Sequence, residues 1–223
     1  RLEEAKTAKR IKREIARNIR DRGGPEKLLI SRNRRNPAWN GLTLGEVARE
    51  LDLEPAAAVL HLQRGGDPRA ISFSMCREDV AHIMKKDYVA TCSDGWCCRP
   101  FVAREGRKAP NPSRPHPRCY GAFPRKIGRW ALVREVVSPG HAIRSATGLP
   151  AEILGLADRG RLRPGMAADV LVFDPEAFRD RATFTDPHRY ATGVVWLFVN
   201  GRAAIAAGKA TGVLAGRPLR RGE

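Results

Sequence analysis

At 223 residues the chain is long enough for one or two domains with a sizeable hydrophobic core. A hydrophobic content of 42%, with four Trp and seven Phe, excludes disorder throughout. No apolar run approaches the ~20 residues of a membrane span, so a soluble protein without a membrane partner is expected. The 41 Lys+Arg against 24 Asp+Glu give a formal net charge of +17, which raises nucleic acid as a partner. That charge is spread over residues 1–22, 99–129 and 217–221, and no aromatic-interleaved RNA-binding motif accompanies it. It therefore reads as a solvated surface, with nucleic-acid binding a minor alternative. No apolar leader opens the sequence, and five cysteines form no obvious disulfide framework. A reducing, cytoplasmic setting is the expectation.

In chain order, residues 1–22 carry the pattern of one amphipathic helix, broken at Gly23-Gly24-Pro25. The run 27–31 (KLLIS) predicts a strand, and an Asn- and Arg-rich loop follows it to Gly41. Thr43 and Glu46 have capping-box spacing and should start a helix whose apolar face holds Leu44, Val47, Ala48 and Leu51. Pro55 suits the first turn of the next helix, through about Leu62. A strand at 70–73, a helix at 78–86 and a short buried strand at 88–92 (YVATC) complete an alternation that predicts a parallel α/β arrangement.

From Trp96 to Pro117 the chain is rich in Pro and Arg and shows no periodicity, the mark of a functional or disordered loop. Helical patterns follow over 121–137 and 138–156, with Ser138-Pro139 and Pro150 as starts. Then the periodicity changes. Residues 168–173 and 194–199 read as strands, and Asn200-Gly201 predicts a two-residue hairpin turn into 202–206. Strand 194–199 is apolar on both faces, so it should be covered on both sides.

Three groups could carry chemistry. Asp94 follows a predicted strand and precedes Gly95, the place where βα-loops build active sites, although a capping Asp would look the same. Arg118, in His116-Pro117-Arg118, offers a rigid fork for a carboxylate; a surface Arg is the plain alternative. Cys92, Cys97, Cys98, His116 and Cys119 invite a zinc reading, but their spacing is irregular and lacks a CxxC pair, so ordinary thiols are favoured. His61, His82 and His141 are read as structural or exposed.

Read together, TCSDG (91–95), HPRCYGAFPRKIGRW (116–130), SATGLPAEILGLADRGRLRPGMAADVLVFDPE (145–176) and DRATFTDPHRYATGVVWLFVNGR (180–202) closely resemble, in order, the C-terminal part of the D-aminoacylase / N-acyl-D-amino-acid deacylase family of metal-dependent amidohydrolases. FSMCREDV (73–80) and GLTLGEVARELDLEPAAAVL (41–60) fit in register. The resemblance implies a (β/α)8 barrel with a small β-sandwich. Residues 1–161 would be the C-terminal part of the barrel with a lid-like loop, and 162–223 part of the sandwich. A full barrel typically takes about 250 residues, and the HxH pair expected after its first strand is absent from the sequence. The expected metal site is therefore none within this chain, with zinc held by ligands upstream.

The resemblance also implies roles. Asp94 would be the acid/base, taking a proton from zinc-activated water and delivering it to the leaving nitrogen. Arg118 would bind the substrate carboxylate, and Asn36 and Asn40 fall where family members place polar substrate contacts. The insert 99–114 would form an altered lid. The expected substrate is a small-molecule N-acyl-D-amino acid. A catalytically inactive remnant or interaction module is the alternative.

Overall fold

The computed structural model describes residues 5–64, 66–96 and 114–220. They divide into two compact units. One comprises the described residues within 1–76, 99–116 and 183–188; the other comprises those within 77–98, 117–182 and 189–223.

In the first unit, α1 (Ala5–Asp21) ends before the Gly-Gly-Pro breaker, β1 spans Leu28–Arg32, α2 Leu44–Glu50, α3 Pro55–Arg64 and β2 Arg69–Ser72. The capping box forms as its spacing predicts: Glu46 N donates to Thr43 Oγ1 at 3.1 Å, and Thr43 N donates to Glu46 Oε2 at 2.7 Å. Ile19, Ile30, Trp39, Leu44, Val47 and Leu62 form the core of this unit. β1 and β2 pair antiparallel, with Leu29 opposite Ile71, so the expected parallel arrangement is not what forms. Alternating strands and helices in sequence do not by themselves fix strand direction, and the antiparallel ladder is slightly the more stable per residue.

The second unit holds α4 (Arg77–Met84), α5 (Arg118–Pro124), a π-helical stretch (Arg125–Val133), α6 (Pro139–Ala146), α7 (Gly148–Leu154), β3 (Val170–Phe173), β4 (Val194–Val199), β5 (Arg202–Ala206) and β6 (Lys209–Ala210). Pro124 has no N–H to donate where α5 ends, and the turns beyond it widen to π geometry. Gly128 lies within that stretch against Phe178, whose carbonyl occupies the space that a Cβ would need. Phe178 is 2% exposed in a core with Ile127, Ala131, Val137 and Ala142. Ser138 caps α6, its Oγ accepting from His141 N. α7 begins at Gly148, two residues before the predicted start, which leaves Pro150 in its first turn.

The predicted strand at 88–92 is absent; Tyr88 is exposed, and among the described residues no strand lies beside it. An extended run without a ladder partner cannot become a strand. Instead, Thr91 N donates to Ser145 O of α6 at 2.7 Å.

The C-terminal strands form an antiparallel sheet in the order β3-β4-β5-β6. Asn200 and Gly201 have φ of 49° and 75°, the left-handed pair that a tight hairpin demands. Trp196 stacks on Phe198 but stays 38% exposed, so β4 lacks the two-sided cover that its apolar pattern predicts.

Arg159 explains why ADRG, AD and NG occur together in the sequence. It is 8% exposed and bonds Asp169 through Nη1 and Asn200 Oδ1 through Nη2, the latter at 2.8 Å. Asn200 N donates to Asp169 Oδ1 at 2.8 Å, which ties the hairpin turn to the start of β3. Arg159→Met should cost about 1.5–3 kcal/mol, the scale of hydrogen bonds to a charged group. Urea unfolding of the variant checks this, and a loss below about 0.5 kcal/mol, ordinary for a surface change, would contradict it.

Candidate active site

Asp94 and Arg118 lie in the same unit, and the fold brings them together. Arg118 is the first residue of α5, whose opening turn is closed by Tyr120 N and Gly121 N donating to Pro117 O. Asp94 sits in the loop after Thr91 with φ of 46°, a left-handed conformation that Asp tolerates better than most residues. Its N–H donates to Cys92 Sγ at 3.4 Å, and Gly95 N donates to Ser93 Oγ at 3.3 Å. The loop runs close to α5: a Cβ on Gly95 would stand 3.1 Å from Cys119 Cα. That approach explains glycine after Asp94.

The Arg118 guanidinium meets the Asp94 carboxylate, Nη2 to Oδ2, at 2.9 Å. The Asp94 side chain is 82% exposed and that of Arg118 is 37% exposed, so the pair opens to solvent. An exposed ion pair of this kind contributes little to stability. What the arrangement offers is chemical: a fork that already holds one carboxylate, beside an accessible group able to move a proton.

Asn36 and Asn40 belong to the other unit. Asn36 Oδ1 accepts from Ala38 N, and buried Asn40 Oδ1 accepts from Asn33 N at 2.6 Å. Both amide oxygens thus shape the loop that carries them. His61 packs edge-on against Trp39, and His141 approaches Met84 O at 2.9 Å, consistent with structural roles.

Among the described residues no three His, Cys, Asp or Glu side chains converge where they could hold a metal ion. Cys92 and Cys119 are free thiols, while Cys97, Cys98 and the insert 99–113 lie outside the described residues. The described residues do not fit a zinc centre, which needs about three protein ligands. The isolated chain, dialysed against a mild chelator, should retain no stoichiometric zinc by elemental analysis. Stoichiometric retention would contradict this and point back to the cysteines.

A charged residue that the sequence reading passed over lies behind the loop. Lys126, in the π-helical stretch, is 5% exposed. Its Nζ donates to Thr91 Oγ1 and to Ser145 Oγ, both at 2.7 Å. Lys normally reads as surface, so only its place directly beside Ile127 could have hinted at burial. Removal from water lowers its pKa below the ordinary 10.5. The unfolded chain then binds a proton that the folded chain has released, so stability should rise with pH from the lowered value up to 10.5. Urea midpoints across that window should climb for the native chain, and Lys126→Met should flatten this part of the rise.

Residues 109–205 match the model of the Amidohydrolase family. The chain is 36% identical over 168 residues to an N-acyl-D-glutamate deacylase of Alcaligenes xylosoxydans xylosoxydans, covering 75% of this chain and 31% of that protein. A D-aminoacylase structure described for its binuclear metal centre superposes with a TM-score of 0.74 at 35% identity, covering 87% of this chain and 38% of the other. An N-acyl-D-glutamate deacylase from Bordetella bronchiseptica, complexed with zinc and a phosphonate mimic of the tetrahedral intermediate, gives 0.70 at 30% identity, covering 88% and 39%. The chain spans about a third of the length of the curated relatives it matches. No helix among the described residues is long and apolar enough to cross a membrane.

Proposed function

From a chain whose relatives along most of its length are amidohydrolases of the D-aminoacylase type, we propose that the natural protein containing these residues hydrolyses N-acyl-D-amino acids to the D-amino acid and a carboxylate. The observation that carries the proposal is the Asp94–Arg118 pair, which sets a carboxylate-binding fork against a proton carrier at 2.9 Å.

Amide hydrolysis needs a group that takes a proton from the attacking water and returns it to the leaving nitrogen. Asp94 has the accessible carboxylate for that. Arg118 takes the substrate's α-carboxylate by two parallel N–H···O bonds and so fixes the amide's position relative to Asp94. In the absence of substrate, Asp94 itself fills part of that fork. Asn36 and Asn40, whose amide oxygens accept from Ala38 N and Asn33 N, keep the loop-shaping role in their own unit and are given no substrate contact in this proposal. A zinc ion such as the one that accompanies a relative would supply polarisation of the scissile carbonyl and an activated water. In this proposal its ligands lie outside the described residues. Residues 1–161 then belong to a (β/α)8 barrel and 162–223 to a β-sandwich.

Release of free amino acid from N-acetyl-D- and N-acetyl-L-amino acids tests the proposal. Turnover of the D series alone is expected. Equal turnover of the L series, or none of either by metal-loaded protein, would overturn it.

A further inference from the structure

Lys126 is an expensive residue for its place. An ammonium group removed from water costs free energy unless it is paired, and its hydrogen bonds among the described residues run to two hydroxyls and to no carboxylate. Nor do those hydroxyls depend on it. Ser145 Oγ already donates to Ala142 O at 2.9 Å, and Thr91 Oγ1 and Ser145 Oγ lie 3.2 Å apart, within reach of a bond of their own. Polar satisfaction alone would be met by an apolar side chain at 126.

What Lys126 adds is a tie. The segment after Thr91 has no β-ladder to hold it, and Asp94 lies three residues along it. The segment is held at one end by Gly95 packed against Cys119 and at the other by Thr91 N on Ser145 O. Lys126 clamps that second end, bridging the side chains of the same two residues whose backbones are already bonded. It reaches them from a π-helical stretch, a rare geometry that concentrates at functional sites.

We propose that Lys126 is a positioning residue: by bridging Thr91 to Ser145 it holds the loop that presents Asp94 to Arg118. Its consequence for turnover rests on the function proposed above, but the tie itself does not.

The test uses the 223-residue chain, with Lys126→Met, which keeps length and removes the donor, and Thr91→Val, which keeps shape and removes the acceptor. Amide exchange by NMR is the readout. In both variants the Thr91 amide should exchange about tenfold faster or more, the scale of one lost buried hydrogen bond to a charged group. The Asp94 and Gly95 amide resonances should shift, while amides of the Asn200-Gly201 hairpin keep their rates. The double variant should add nothing to either single one, since both cut the same bridge. Unchanged Thr91 exchange in both variants, or acceleration only in step with the hairpin, would overturn the proposal; Thr91→Val decides if Lys126→Met does not fold.

In the natural protein, both variants should lower kcat for N-acetyl-D-amino acids at least about fivefold with KM within about twofold, as misplacement of a reacting group does. A kcat equal to that of the unaltered protein would overturn the positioning role. An unaltered protein with no turnover at all would count against the proposed function instead, and the exchange rates would still decide the tie.

Discussion

Asp94→Asn, in the natural protein that contains this chain, is expected to lower kcat toward N-acetyl-D-amino acids by roughly 10²- to 10⁴-fold, the range that a positioned proton carrier supplies. Asparagine keeps the shape of the loop residue but cannot accept and return a proton. KM should stay level or fall. The reason is the ion pair: Asp94 Oδ2 lies 2.9 Å from Arg118 Nη2, and removing its charge frees the fork for the substrate carboxylate. A variant with kcat preserved and KM changed would show that Asp94 serves only as the resting partner of Arg118.

Arg118→Lys is expected to lower kcat/KM for the same substrates by roughly one to two orders of magnitude. The charge survives, but lysine is a point donor on a flexible stem, whereas the guanidinium makes two parallel bonds to a carboxylate. Losing that geometry costs about 1.5–3 kcal/mol, which converts to that range of kcat/KM. Arg118 opens a short helix, and its side chain remains open to solvent. Because Asp94 pairs with whichever cation stands there, folding of the variant should be little affected.

The parts of the fold that the sequence announces are those set by local chemistry. Thr43 with Glu46, Ser138 before Pro139, and Asn200-Gly201 each fix their own few residues, and each appears as its spacing predicts. The run of strands from 170 to 206 follows from patterning in the same way. What local chemistry cannot specify is pairing. Residues 88–92 have strand composition but find no ladder among the described residues, and β2 pairs antiparallel with β1 where the alternation of elements predicts a parallel partner.

The candidate site divides similarly. Asp94 and Arg118 were legible as residue types in a recognisable order of motifs, but their contact belongs to the fold, since 23 positions of sequence separate them. Lys126 was not legible at all. A lysine in an Arg-rich helix reads as solvated, and its burial against Thr91 and Ser145 is a product of tertiary packing. Arg159 lay within the family motif, yet its role as the link between Asp169 and Asn200 emerges only from the folded chain.

In the proposed function, Arg118 reads the substrate's carboxylate. The most direct measurement compares kcat/KM for an N-acetyl-D-amino acid and for its carboxamide, in the unaltered protein and in Arg118→Lys. The carboxamide offers no carboxylate to clamp. The substitution is expected to slow the acid by roughly 10- to 100-fold while changing the carboxamide by less than about threefold. Equal slowing of both substrates would make Arg118 a structural residue and contradict the assignment.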